Sequence, residues 1–80
     1  MQKHIEISDP VLKNKIRRKE INFGGNHKLK IYGLLSCSSG KRMKKENRIF
    51  FISENEALKH NYRPCGNCMR IEYKQWKSNQ

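Results

Sequence analysis

Long apolar runs are missing from this sequence. No stretch approaches the roughly 20 residues that a bilayer-crossing helix needs, which excludes a transmembrane segment. No secretory leader pattern stands at the N-terminus. The cysteines number three, an odd count that a disulfide framework would leave incomplete. These absences predict a reduced, cytoplasmic protein with no membrane contact. Acidic residues are scarce too: seven Asp and Glu stand against eighteen Lys and Arg, for a net charge of +11. Such an imbalance in a short chain implies affinity for a polyanion, nucleic acid first, with solubility as the plain alternative. There is no Ser-His-Asp set, no pair of catalytic carboxylates and no nucleotide-cofactor fingerprint, so no ordinary enzyme reading is available.

What is present is 80 residues, 35% hydrophobic, whose aromatics are three Phe, three Tyr and one Trp. That length predicts one domain, residues 1–80, expected as a monomer. A core this small commonly needs a staple. The stretch Tyr62-Arg63-Pro64-Cys65-Gly66-Asn67-Cys68 supplies half of one. Pro64 stiffens the approach and Gly66 lets the backbone curl, so that two thiols three residues apart can face one point. A Cys-x-x-Cys knuckle is half of a tetrahedral zinc site, and the only further cysteine is Cys37.

The pattern predicts an α+β fold: a short antiparallel sheet, made of a hairpin and one further strand, with two or three helices. Residues 1–7 carry no pattern. Ser8-Asp9-Pro10 opens a helix over about 9–20, with Val11, Leu12 and Ile16 as a narrow apolar stripe. Ile21 to Tyr32 reads as a hairpin that turns at Gly24-Gly25-Asn26, with Leu29 and Ile31 on one face. From residue 40 to 48 the chain is at its most basic, and Ile49-Phe50-Phe51-Ile52 reads as a buried strand. Ser53-Glu54-Asn55-Glu56 is a capping box, Ala57 and Leu58 face inward, and Asn61 ends that helix. Met69, Tyr73 and Trp76 mark one face of a last helix over residues 66–77, a stripe read as core rather than a base-stacking platform.

Taken together, Lys41-Arg42, Glu46-Asn47, Phe50-Phe51, the Glu-Ala-Leu within Ser53 to Leu58, and Tyr62-Arg63-Pro64-Cys65 with Cys68 resemble the metal-binding domain of Ada-type DNA repair proteins. The likeness spans residues 31–68; residues 1–26 match nothing. In that family two cysteine pairs, Cys-x-x-x-Cys and Cys-x-x-Cys, bind zinc, and the first cysteine accepts a methyl group from a DNA phosphotriester. The resemblance therefore implies zinc, with Cys37, Cys65 and Cys68 as ligands. It places Cys37 second in its pair and Gly33 at the methyl-acceptor position. With Cys37 first instead, its pair position is Lys41.

The fourth ligand stays open among His27, His60, His4, water, an exogenous thiol, or no metal at all. For each histidine the bland reading is a solvated side chain. Lys41, Arg42, Lys44, Lys45 and Arg63 are the candidate DNA contacts; the bland reading is a solvated basic run, with Arg63 bracing the site. Three functions follow. The first is a DNA-binding module of Ada type without methyl acceptance. The others are a phosphotriester repair protein using Cys37, and a protein-interaction or metal-sensing module with no nucleic-acid role.

Overall fold

The sheet grows outward from a central hairpin whose inner positions are glycine. In the computed structural model, which describes residues 1–37 and 42–79, β2 (Phe23–Asn26) and β3 (Ile31–Leu34) pair antiparallel with Gly24 opposite Gly33 and Gly25 opposite Tyr32. The hairpin turn lies at residues 27–30, not at the expected Gly24-Gly25-Asn26. A Cβ on Gly25 would collide with the Ile31 carbonyl oxygen and lie 3.1 Å from Tyr32 Cα. This glycine serves close approach of two backbones rather than a bend. The bend is set by Asn26, whose Oδ1 accepts from the Lys28 and Leu29 amides at 2.9 and 3.1 Å, and by Lys30 at φ 57. An Asx turn of this kind occupies the place assigned to the glycine pair. The faces change accordingly: Tyr32 is buried, while Leu29 is exposed.

Three further strands extend the hairpin. β4 (Arg48–Phe51) lies antiparallel to β2, and β1 (Gln2–Lys3) lies antiparallel to β4. β5 (Arg63–Pro64) runs parallel to β3 at the other edge. The order is β1-β4-β2-β3-β5. The α+β class stands, but the sheet is five-stranded and mixed rather than a three-stranded antiparallel one. The two added strands have two residues each, too short for a period-2 pattern to register.

Three helices complete the fold. α1 (Asp9–Arg17) begins after Ser8, with Pro10 in its first turn, and ends before Lys19 at φ 61. Of its expected stripe only Leu12 is buried; Val11 and Ile16 stay exposed. α2 (Glu54–Lys59) follows the capping box as expected: Ser53 Oγ accepts from the Glu56 amide at 3.2 Å, and Glu56 Oε1 accepts from the Ile52 amide at 3.1 Å. Asn61, at φ 67, turns the chain out of it. Ala57 faces inward and Leu58 is exposed, since a two-turn helix offers its neighbour a single narrow face. α3 (Arg70–Ser78) starts four residues later than the periodicity implied, because residues 66–68 form the knuckle turn. Met69 is buried, while Tyr73 stacks on Trp76 with centroids 6.0 Å apart and both half-buried.

Alternation along β4 places Ile49 and Phe51 on one face and Phe50 on the other. One face carries Tyr32, Ile49, Phe51, Ala57, Tyr62 and Met69, with the Phe51 and Tyr62 rings edge-on at 4.8 Å. The opposite face carries Leu12, Ile21 and Phe50 beneath α1. Burial of a Phe ring contributes roughly 3 kcal/mol at most, so Phe50 and Phe51 anchor one core each.

Candidate metal centre

Three cysteines distant in sequence meet at the β3–β5 edge. Leu34 to Cys37 form a turn closed by the Cys37 amide donating to the Leu34 carbonyl at 3.1 Å. This turn returns Cys37 toward the strand it has just left. On the adjacent edge, the Cys65 amide donates to the Tyr32 carbonyl at 2.7 Å, which fixes the start of the knuckle against β3. The Met69 amide then donates to the Cys65 carbonyl at 3.0 Å and closes the knuckle turn. As a result the sulfur atoms of Cys37, Cys65 and Cys68 all lie within 4.8 Å of one another. No disulfide joins them. Cys37 is buried and the other two are half-buried.

Backbone donors converge on the knuckle sulfurs. The Leu34 amide donates to Cys68 Sγ and the Asn67 amide to Cys65 Sγ, both at 3.4 Å. Such donors favour thiolate over thiol. Burial acts in the opposite sense and dominates at Cys68, whose pKa is pushed up to about 12; the Leu34 amide opposes the rise, while hydrogen bonds that the Cys68 thiol donates toward Cys37 and Cys65 add to it. Without a cation Cys68 therefore holds its proton. A bound divalent metal reverses that balance and keeps its thiolates ionised.

The donor set fits zinc. Tetrahedral zinc holds sulfur at about 2.3 Å, which puts ligand sulfurs about 3.8 Å apart, within the span of this cluster. Gly33 borders the set. A Cβ built on Gly33 would stand 2.8 Å from Cys68 Sγ and 3.1 Å from Cys65 Cβ. Position 33 thus faces the cluster directly, and it carries no side chain.

The histidines are elsewhere. His27 Nε2 donates to the Glu46 carbonyl at 2.7 Å. His60 caps the end of α2 and is exposed. His4 is buried with its ring edge-on to Phe50 at 5.2 Å. Among the described residues the metal-ligating group is Cys37, Cys65 and Cys68 alone. A family model for the metal-binding domain of Ada matches residues 9–70. The chain belongs to the Ada metal-binding domain family. The match takes in α1 and β2, upstream of the 31–68 stretch that carries the recognisable residues. Comparisons with curated proteins and with solved structures give no match. Family membership and the thiol cluster together make this an incomplete zinc site of the Ada type.

The basic residues fall into distinct environments. Arg42, Lys44 and Lys45 are exposed, and Lys45 Nζ lies 3.4 Å from Asp9 Oδ1 at the start of α1. Lys41 lies outside the described residues. Arg63 is half-buried; its guanidinium sits over the Tyr73 ring at 5.2 Å and its Nη1 donates to the Pro64 carbonyl at 3.2 Å. Arg63 therefore braces β5 against α3. Arg48 reads in the sequence as the last member of the basic run and the start of the strand that follows. Its place on β4 puts it over Phe50, with Nε buried and unpartnered. Among the described residues no helix is long and apolar enough to cross a membrane.

Proposed function

We propose that this chain is a zinc-stapled, DNA-binding member of the Ada metal-binding family that does not accept methyl groups. Gly33 carries the reading. In the family the methyl acceptor is the first cysteine of the first pair, and the Cys-x-x-x-Cys spacing back from Cys37 lands on Gly33. A side chain at this position would enter the thiol cluster, yet glycine offers no nucleophile. Cys37, the remaining candidate acceptor, is only 7% exposed, which disfavours direct attack on a phosphotriester. The role left to the cluster is structural, because metal-binding energy in a domain this small is folding energy. Three thiols without a disulfide suit a reducing compartment.

DNA affinity rests on charge. The +11 balance and the exposed Arg42, Lys44 and Lys45, which follow Cys37 in the sequence, supply phosphate contacts of the sequence-independent kind. Lys41 belongs to the same basic stretch, and Arg63 contributes a positive charge from the knuckle side.

Native mass spectrometry of the purified protein tests the metal: one zinc per chain is expected. The zinc-loaded protein is then incubated with DNA carrying methylphosphotriesters. An unchanged protein mass is expected, and a methyl adduct on Cys37 would instead assign a repair activity. Zinc binding with no DNA binding at low salt would leave a protein-interaction or metal-sensing module.

A further inference from the structure

A cavity of about 360 Å³ opens beside the thiol cluster, along the sheet face that carries Gly24 and Gly33. Its lining includes Cys37, Cys65 and Gly33, the two arginines Arg42 and Arg48, and the apolar side chains of Ile31 and Met43. The two glycines matter in different ways. Gly33 sets bare backbone against the thiol cluster, where a Cβ would stand 2.8 Å from Cys68 Sγ. Gly24 lies against Arg48, whose Nε would be in ordinary contact at 3.7 Å with a Cβ there. Among the described lining residues no carboxylate faces the arginines, and Arg48 Nε is buried without a hydrogen-bond partner. A buried unpaired donor on a cation is costly unless something accepts from it.

The cavity thus couples three features that a single small molecule can satisfy together. The thiols with a bound metal ask for a soft anionic donor, the apolar lining for a short aliphatic chain and the arginines for an oxyanion. We propose that this cavity binds a small aliphatic thiol acid, its thiolate adding a fourth sulfur to the three cysteines around a bound metal and its carboxylate accepting from Arg48. The proposal rests on the zinc reading above. Thiolate is the donor that zinc holds most commonly in four-sulfur sites, and a carboxylate is the planar acceptor that a guanidinium fork fits. The volume lies within the range of small-ligand pockets. On binding, the thiol's S–H bond would break with loss of the proton to the buffer, and its sulfur would displace the water that otherwise fills the metal's open position. No electron is transferred, so no oxidant or reductant is required.

The test uses the full chain loaded with cobalt(II), whose thiolate charge-transfer and d–d bands report the number of sulfur donors. Three probes are titrated: 3-mercaptopropionate, 2-mercaptoethanol and propionate. Gain of a fourth-thiolate signature with 3-mercaptopropionate is expected, at an affinity about tenfold above that for 2-mercaptoethanol. A tenfold preference is about 1.4 kcal/mol, close to the lower end of what a hydrogen bond to a charged group contributes. Propionate should leave the spectrum unchanged. In Arg48→Gln the tenfold preference should collapse toward unity while 2-mercaptoethanol binding stays as it was. Equal affinity for both thiols in the native chain would overturn the proposal without recourse to any variant. So would a spectrum insensitive to all three probes although cobalt–thiolate bands are present. Absence of the cobalt–thiolate bands themselves would bring down the zinc reading and this proposal with it.

Discussion

Adjacent glycines in β2 carry opposite expectations. Gly25→Ala drives a Cβ into the Ile31 carbonyl of the neighbouring strand, where only backbone can yield. It should cost about 3 kcal/mol or more, the upper range for overpacking, and many such molecules should fail to fold. Gly24→Ala meets Leu35 and Arg48 side-chain atoms at 3.6 Å and beyond, ordinary contact; its stability should stay within about 0.5 kcal/mol of the parent. Denaturant midpoints of the two variants measure the difference, and similar losses would refute the close-approach account. The sequence showed a Gly-Gly-Asn run and nothing of what lay opposite it, so a turn was the natural expectation. His4 is a second case. Burial lowers its pKa below the ordinary 6.5, aided by Arg48 and Lys45 and opposed by Asp9, its nearest carboxylate at 3.9 Å. Between the lowered folded value and 6.5 the unfolded chain binds more protons, so stability rises with pH through that window and falls as His4 is forced to charge. Comparing the parent with His4→Phe by urea denaturation between about pH 7.5 and 5 should show a loss in the parent that the variant lacks. Parallel profiles would remove His4 from the account.

Among the elements, α2 shows best how far local chemistry reads through. Its cap, its acid at the third position and its left-handed exit at Asn61 are all visible in the sequence, and all three act as expected. Ser53→Ala removes the acceptor for the Glu56 amide and should cost about 1 kcal/mol, or roughly 4–8 °C in melting temperature for a domain of this size. An unchanged melting temperature would mean that the cap contributes nothing once Ala57 is seated in the core. The strands read less well. β4 is legible because both of its faces are covered by apolar neighbours. β1 and β5 are not, since each makes two pairings dictated by what lies beside it in space. The same divide holds within the site. The knuckle is local and was legible; the nearness of Cys37 to it followed from the family resemblance, since spacing alone gives no hint of a parallel β3–β5 contact. Arg48 was legible as a basic residue at the start of β4, but its surroundings were not, for the same reason: its neighbours Gly24 and Phe50 are set by strand register.

At the scale of the whole molecule, charge sets the next expectation. Each phosphate neutralised should contribute about −0.9 to the slope of log affinity against log salt. Replacing Lys44 and Lys45 with Ala should flatten that slope by about two units and weaken binding on all sequences alike. The ion pair of Lys45 with Asp9 is exposed, and pairs of this sort are worth little, so Lys45 remains available to a phosphate. Neutralising Lys13, Lys15 and Arg17 on α1 should have the smaller effect. Equal effects from both sets would mean that net charge alone draws the protein to DNA, with no localised surface.

The parallel pairing of β3 with β5 also constrains the order of assembly. β2 and β3 are neighbours in the chain and can meet early, whereas β5 lies some thirty residues beyond β3 in its register, Ile31 opposite Arg63. Contacts of such separation form late, after the loop-closure entropy has been met by β4 and α2. Cys37 travels with the hairpin and the Cys65–Cys68 pair with the last strand, so the three-sulfur set exists only once the sheet has closed. In rapid-mixing experiments from denaturant, capture of a third thiolate by cobalt should therefore share the rate of the slowest folding phase, while two-sulfur binding at the knuckle precedes it. The cluster acts as a clock on the final step of folding.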